Sequence, residues 1–178
     1  SGHAITDVLT GEFAPCGRLP IPLVDRDRVG LTFGHGLNYS EFGLGQTTTE
    51  LGHDRLIVST VLHNVGGHEG TETVQLYLRR PGGRGQERTE LADFQRVSLG
   101  GGETRQILFE VGGNQLGRFE RDGRFVIDPG TYEVSVGLSE DRAHAIEIAV
   151  PQAVADAMGK ARASEPLPAL FGKLRSVG

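Results

Sequence analysis

The residues best suited to metal or proton chemistry are six histidines, at positions 3, 35, 53, 63, 68 and 144. None is four residues from another on a helical pattern and none sits beside carboxylates at ligand spacing, so no metal site is expected. Cys16 is the only cysteine, which leaves no thiolate cluster and no intrachain disulfide framework. There is no Gly-x-Ser-x-Gly elbow and no phosphate-cradling glycine loop, so nucleophilic and phosphoryl-transfer readings lack an anchor and no cofactor is expected. Carboxylates are plentiful, and two of them at the right separation can cleave a glycosidic bond. Glu87, Glu90 and Asp93 cluster after Pro81, yet no pair is singled out and a solvated loop is the plainer account.

The elements that would position these groups follow from composition. The 178 residues include 27 glycines, 37% apolar and 23% charged residues, a balance that favours many turns and short strands over long helices. The net charge is -5 with no basic run, so neither nucleic acid nor an anionic membrane finds an electrostatic footprint. No apolar stretch is long enough to span a bilayer, and Ser1-Gly2-His3-Ala4 lacks the features of a signal peptide. Such a start is expected of a cut within a longer chain, and the compartment, cytoplasmic or secreted, stays open.

Along the chain, Ala4, Ile5, Val8 and Leu9 recur at helical spacing before Gly11. Pro15 to Leu23 is extended and proline-punctuated, compatible with an edge strand alone. Asp25-Arg26-Asp27-Arg28 reads as a solvated linker. It leads into Leu31-Thr-Phe-Gly-His-Gly-Leu-Asn-Tyr-Ser-Glu-Phe42, where Gly34 and Gly36 permit a tight turn and Phe33, Leu37, Tyr39 and Phe42 supply apolar anchors. Period-two alternation then begins: Leu56, Val58, Thr60 and Leu62; Val74, Leu76 and Leu78 against Gln75 and Tyr77; Leu91 to Leu99 with Phe94 and Val97; Ile107, Phe109 and Val111; Phe125 to Ile127; Tyr132, Val134, Val136 and Leu138; Ile146, Ile148 and Val150. Seven short strands divided by Gly and Pro turns, with no intervening helix, predict an all-β fold, a fibronectin type III or immunoglobulin-like β-sandwich, flanked by an N-terminal α/β remnant and a C-terminal, partly helical tail. In the tail, Val154, Ala157, Met158 and Ala161 keep helical spacing from Gln152 to Arg162, and Pro166 to Phe171 is apolar and extended.

Five motifs, in order, carry a resemblance. They are Gly17-Arg18-Leu19-Pro20, Phe33-Gly34-His35-Gly36-Leu37-Asn38-Tyr39-Ser40, Glu72-Thr73-Val74-Gln75-Leu76-Tyr77-Leu78, Glu90-Leu91 with Phe94 and Val97, and Pro129-Gly130-Thr131-Tyr132-Glu133-Val134. The series resembles the C-terminal part of glycoside hydrolase family 3 enzymes, typified by β-glucosidases. The resemblance implies a division into residues 1–30, the remnant of an α/β sandwich domain with its linker; 31–46, a crossover hinge; 47–150, a fibronectin type III-like domain; and 151–178, a C-terminal extension.

It also implies a parent that hydrolyses terminal β-glycosidic bonds by the retaining two-carboxylate route. The family's nucleophile lies in a Ser-Asp-Trp-type motif, which a chain with no tryptophan lacks, and its acid/base glutamate usually lies on the α/β sandwich domain, whose few residues here match no acid/base segment, so neither catalytic carboxylate can be carried over. The expected role is therefore a non-catalytic structural module whose partners are the catalytic barrel and α/β domains, with a β-glucoside or oligosaccharide reached only in the full enzyme. Candidates for the substrate rim are His35, Arg84, Glu87 and Arg88, the last three in the Pro81–Leu91 loop. Phe33, Leu37, Tyr39 and Phe42 are the expected domain-interface residues. Two other readings remain open: a stand-alone carbohydrate- or protein-binding sandwich, disfavoured because a chain with no Trp and only three Tyr has little from which to build an aromatic platform for a sugar ring, and one chain of a split glycosidase active only with its barrel-bearing partner.

Overall fold

A computed structural model describes residues 2–10, 15, 17–21, 23–25, 28–32, 34–36, 40–81, 89–139 and 143–164. Its centre is a sandwich of two antiparallel sheets. One sheet is built on strand β5 (Leu56–Asn64), flanked on one side by β8 (Thr104–Val111) and on the other by β3 (Phe42–Leu44) and β4 (Thr48–Leu51). β3 pairs through Leu44↔Leu62 and β4 through Thr48↔Ser59, so the two behave as one strand whose register slips between them. The other sheet has the order β12 (His144–Val150), β11 (Gly130–Gly137), β6 (Gly70–Arg79), β7 (Glu90–Leu99). The expected all-β sandwich of the fibronectin type III or immunoglobulin-like kind is what forms.

Burial explains why these residues are strands. β5 alternates strictly between buried and half-buried positions, with Leu56, Val58, Thr60, Leu62 and Asn64 inward. Val74, Leu76 and Leu78 of β6, Ile107, Phe109 and Val111 of β8, and Tyr132, Val134 and Val136 of β11 meet them in one core. Aromatic and β-branched residues at these positions suit a pleated, half-buried surface. β7 is the outer strand beside β6, and Ala92 bulges where Leu76 pairs with Asp93 but Tyr77 with Leu91. The Asp93 carboxylate accepts from the Phe94 backbone N–H at 2.8 Å, so a bulge and a charge blunt this edge, and Phe94, expected to help carry the strand, stands exposed.

Several expectations are corrected. The extended stretch from Pro15 forms no strand among its described residues before Leu23, because Pro20 and Pro22 cannot donate to a ladder. The two ends of the charged stretch read as a linker are instead in paired strands: β1 (Leu23–Asp25) runs antiparallel to β2 (Arg28–Leu31), Asp25 opposite Arg28. The described residues hold twelve strands, not seven, and helices do intervene. One-turn helix α2 (Gly113–Leu116) follows β8, and a ribbon of β9 (Arg118–Phe119) and β10 (Phe125–Val126) follows it. β10 answers to the strand expected at Phe125 to Ile127, whereas the two-residue β9 and a single helical turn are too short to show a period, so the sequence pattern missed both.

The expected N-terminal helix is α1 (Gly2–Thr10), and the tail helix is α3 (Gln152–Ser164). α3 packs on the sandwich through Ala155 and Met158, both in the buried core. Pro166 to Phe171 lies outside the described residues.

At the start of β11 the buried Tyr132 hydroxyl donates to Asp128 O at 2.8 Å, closing the Asp128–Gly130 turn from four residues away. Gly130 has φ 142°, a conformation that favours glycine there. Burial pushes the Tyr132 hydroxyl up to about 12. The folded state thus holds this proton more tightly than the unfolded chain, whose tyrosine titrates near 10. Its stabilising contribution is complete below pH 10 and is lost as pH rises toward 12. Tyr132→Phe should cost about 1–3 kcal/mol in urea unfolding at pH 7, since Asp128 O loses its buried donor, and should flatten the fall in stability above pH 10.

Candidate functional site

β6 departs from simple alternation, since Gln75 and Tyr77, expected on its outer polar face, are as buried as the core. What covers them is the crossover segment. Gly34, at φ 77°, lies directly on these two side chains: a methyl group there would sit 2.5 Å from Gln75 Oε1 and 2.6 Å from the Tyr77 hydroxyl. Gln75 Nε2 donates to Leu138 O at 2.8 Å and to Gly34 O at 3.4 Å, while Tyr77 donates its hydroxyl proton to Gln75 Oε1 at 3.0 Å. A neutral amide and a phenol can be buried in this way because their polar atoms are partnered.

The same segment closes on the chain that precedes it. Leu19 N donates to His35 O at 2.9 Å and Gly34 N donates to Leu19 O at 2.9 Å, so two backbone hydrogen bonds join the segments. Arg18, next to Leu19, reaches across to an ion pair with Glu72 of β6, both side chains at least nine-tenths buried. Glu72 Oε1 also accepts from Thr73 N at 2.6 Å. Gly36 packs against the Arg18 guanidinium and Gly17 O, a position with no room for a side chain. Thus two motifs from the N-terminal region and one from β6 meet at one place.

The far end of the crossover is stitched to the β5–β6 turn. Val65 N donates to Glu41 O at 2.8 Å, and the Ser40 hydroxyl lies 3.2 Å from His68 O and 3.3 Å from Glu69 O. Within that turn, buried Asn64 donates from Nδ2 to His68 O at 2.8 Å and to Leu99 O at 3.0 Å, and accepts from Gly66 N at 3.0 Å.

Of the residues expected at the site, His35 is half-buried, with its backbone committed to Leu19 and Thr32. Phe42 is half-buried in β3 and packs against the core. Arg84, Glu87, Arg88, Phe33, Leu37 and Tyr39 lie outside the described residues. The structure therefore joins His35 to Arg18, Glu72, Gln75 and Tyr77, which the sequence reading quoted as motif residues without giving them a role. Two signals pointed to them: a glutamate and a glutamine inside an otherwise apolar strand, and an arginine beside the proline-rich stretch.

The arrangement is suited to holding segments together. Among the described residues no group of three His, Cys, Asp or Glu side chains could hold a metal ion. No helix there is long and apolar enough to cross a membrane.

Comparison with known proteins gives a consistent account. The description "Fibronectin type III-like domain" matches residues 72–140. A β-xylosidase from Formosa agariphila and a β-glucosidase from Rhizobium radiobacter are each 29% identical over 78% of this chain, which spans 24% and 22% of their lengths. A β-glucosidase from Erythrobacter marinus superposes with TM-score 0.75 at 30% identity, covering 83% of this chain and 23% of that one. The family 3 β-glucosidase of Bifidobacterium adolescentis shares the fold, with TM-score 0.76 at 20% identity over 84% of this chain and 28% of its own.

Breaking the buried pair by Glu72→Ala should cost about 3–5 kcal/mol in denaturant unfolding, because Arg18 is left buried without its carboxylate. Gly34→Ala should loosen the crossover, read as faster amide exchange at Leu19 and at the substituted residue while the β5 amides keep their protection. The matched domain, together with relatives and solved structures of which this chain spans about a quarter, makes the chain similar to the fibronectin type III-like, C-terminal part of glycoside hydrolase family 3 enzymes.

Proposed function

We propose that this chain serves as the non-catalytic structural module of a retaining β-glycosidase of the β-glucosidase type, bracing catalytic domains supplied by the remainder of a longer protein. The observation that carries this reading is the docking of the N-terminal segment on β6. The Arg18–Glu72 pair and the seat of Gly34 on Gln75 and Tyr77 clamp residues 17–36 to the sandwich. A segment clamped in this way transmits position from whatever precedes it to the sandwich.

In this reading residues 1–30 are the end of an α/β domain, 31–46 the crossover, 47–150 the fibronectin type III-like domain and 151–178 an extension. Large apolar side chains support the first assignment: Ile5 and Leu9 on α1, and Ile21, Leu23 and Leu31 around the β1–β2 pair, are all exposed. A neighbouring domain would cover them. His35 and the loop bearing Arg84, Glu87 and Arg88 are placed at the substrate rim of the assembled enzyme, while the two carboxylates that act on the glycosidic bond come from the other domains. Phe33, Leu37, Tyr39 and Phe42 belong in this reading to the domain interface.

The isolated 178-residue chain, assayed on aryl β-glucosides and aryl β-xylosides, should release no aryl alcohol above the uncatalysed rate. Turnover by the purified chain that survives further purification would overturn the non-catalytic assignment.

A further inference from the structure

The connection between β6 and β7 has its two ends held by a single side chain, Arg80, and the hold continues to the C-terminal helix. All three guanidinium nitrogens of Arg80 are used: Nη1 donates to Glu90 Oε2 at 2.6 Å, Nη2 to Gln115 O at 2.9 Å and Nε to Leu116 O at 3.2 Å. Arg80 precedes the connection and Glu90 follows it, so one side-chain contact ties the entrance to the exit. The two carbonyls belong to the last turn of α2, where a helix leaves acceptors without intrahelical donors and favours a cation. Leu116 O also lies 3.4 Å from the Tyr132 hydroxyl.

α2 is a single turn and cannot hold its own position. On one side it is tightened by Gly112 N donating to Gln115 Oε1 at 3.0 Å. On the other lies α3. A methyl group at Gly113 would come within 2.7 Å of Met158 O and 3.3 Å of Arg162 Cβ, which shows that the two backbones are in close contact. Arg162 Nε donates to Asn114 Oδ1 at 2.9 Å, and its guanidinium carbon stands 3.6 Å from the centre of the Phe125 ring. Phe125 in turn packs against Gly117, just past the end of α2.

We propose that α3 is a clasp for the β6–β7 connection: Arg162 and Met158 fix α2, the α2 carbonyls fix Arg80, and Arg80 fixes both ends of the connection. Arg80 and Arg162 are positioning residues. The clasp itself depends on no assumption about activity.

The test uses the 15N-labelled 178-residue chain and the solvent exchange of the Arg80 Nε–H, assigned as the side-chain signal that disappears in Arg80→Lys. In Arg162→Ala this proton should exchange about fivefold faster, the change expected when one supporting hydrogen bond is lost. The backbone amides of Val58 and Leu76 in the sandwich centre should keep their rates, and Arg162→Lys, which restores the cation over Phe125, should recover part of the protection. Unchanged Arg80 exchange in Arg162→Ala, or acceleration of the central amides by the same factor, would overturn the clasp. If Arg162→Ala does not fold, Asn114→Ala decides the matter by the same readout.

Discussion

The structure depends on the fact that β6 is buried on both faces. Its inner face, with Val74, Leu76 and Leu78, is ordinary sandwich core. Its outer face carries an amide and a phenol, Gln75 and Tyr77, and the carboxylate of Glu72 is buried in phase with the core positions; burying such groups is costly unless each finds a partner. Arg18, Leu138 O and the crossover backbone at Gly34 supply those partners. Had the crossover been absent, Gln75 and Tyr77 would have made a normal solvated face. Its presence joins them, with the Arg18–Glu72 pair, into a buried polar seam whose groups partner one another.

A second seam lies at the opposite end of β6 and has a different chemical character. There the partners are backbone carbonyls of Gln115, Leu116 and Asp128, approached by Arg80 and Tyr132. The local secondary structure is minimal: one helical turn and two strands of two residues each. Elements this short have little stability of their own and take their shape from what packs on them. α3 supplies that packing through Met158 and the Arg162–Phe125 contact. The sandwich is thus bound at one end by the segment that enters it and at the other by the helix that leaves it.

Both seams bear on how a small β-sandwich could serve a larger enzyme. A module that braces other domains needs a rigid attachment, and the crossover provides one through buried, partnered polar groups. It also needs edges that do not recruit other strands. β7 meets that need with the Ala92 bulge and the Asp93 carboxylate turned back onto the Phe94 N–H.

The fold was legible in the residues because period-two alternation is a local property. Leu56-x-Val58-x-Thr60-x-Leu62 and Tyr132-x-Val134-x-Val136 can bury one face in only one way, and a slip by one residue would expose the whole set. The motif series likewise pointed to the family without any geometry. The sequence alone determined the sandwich, the two terminal helices and the Gly- and Pro-marked turns between its strands. Only the tertiary structure decided which polar residues are buried, that the two ends of the charged stretch, Asp25 and Arg28, lie opposite each other in paired strands, and that α2 exists. The physical reason is range. Strand periodicity is set by neighbours two residues apart, whereas the burial of Glu72 depends on Arg18, and the place of Arg80 depends on a helix more than thirty residues away.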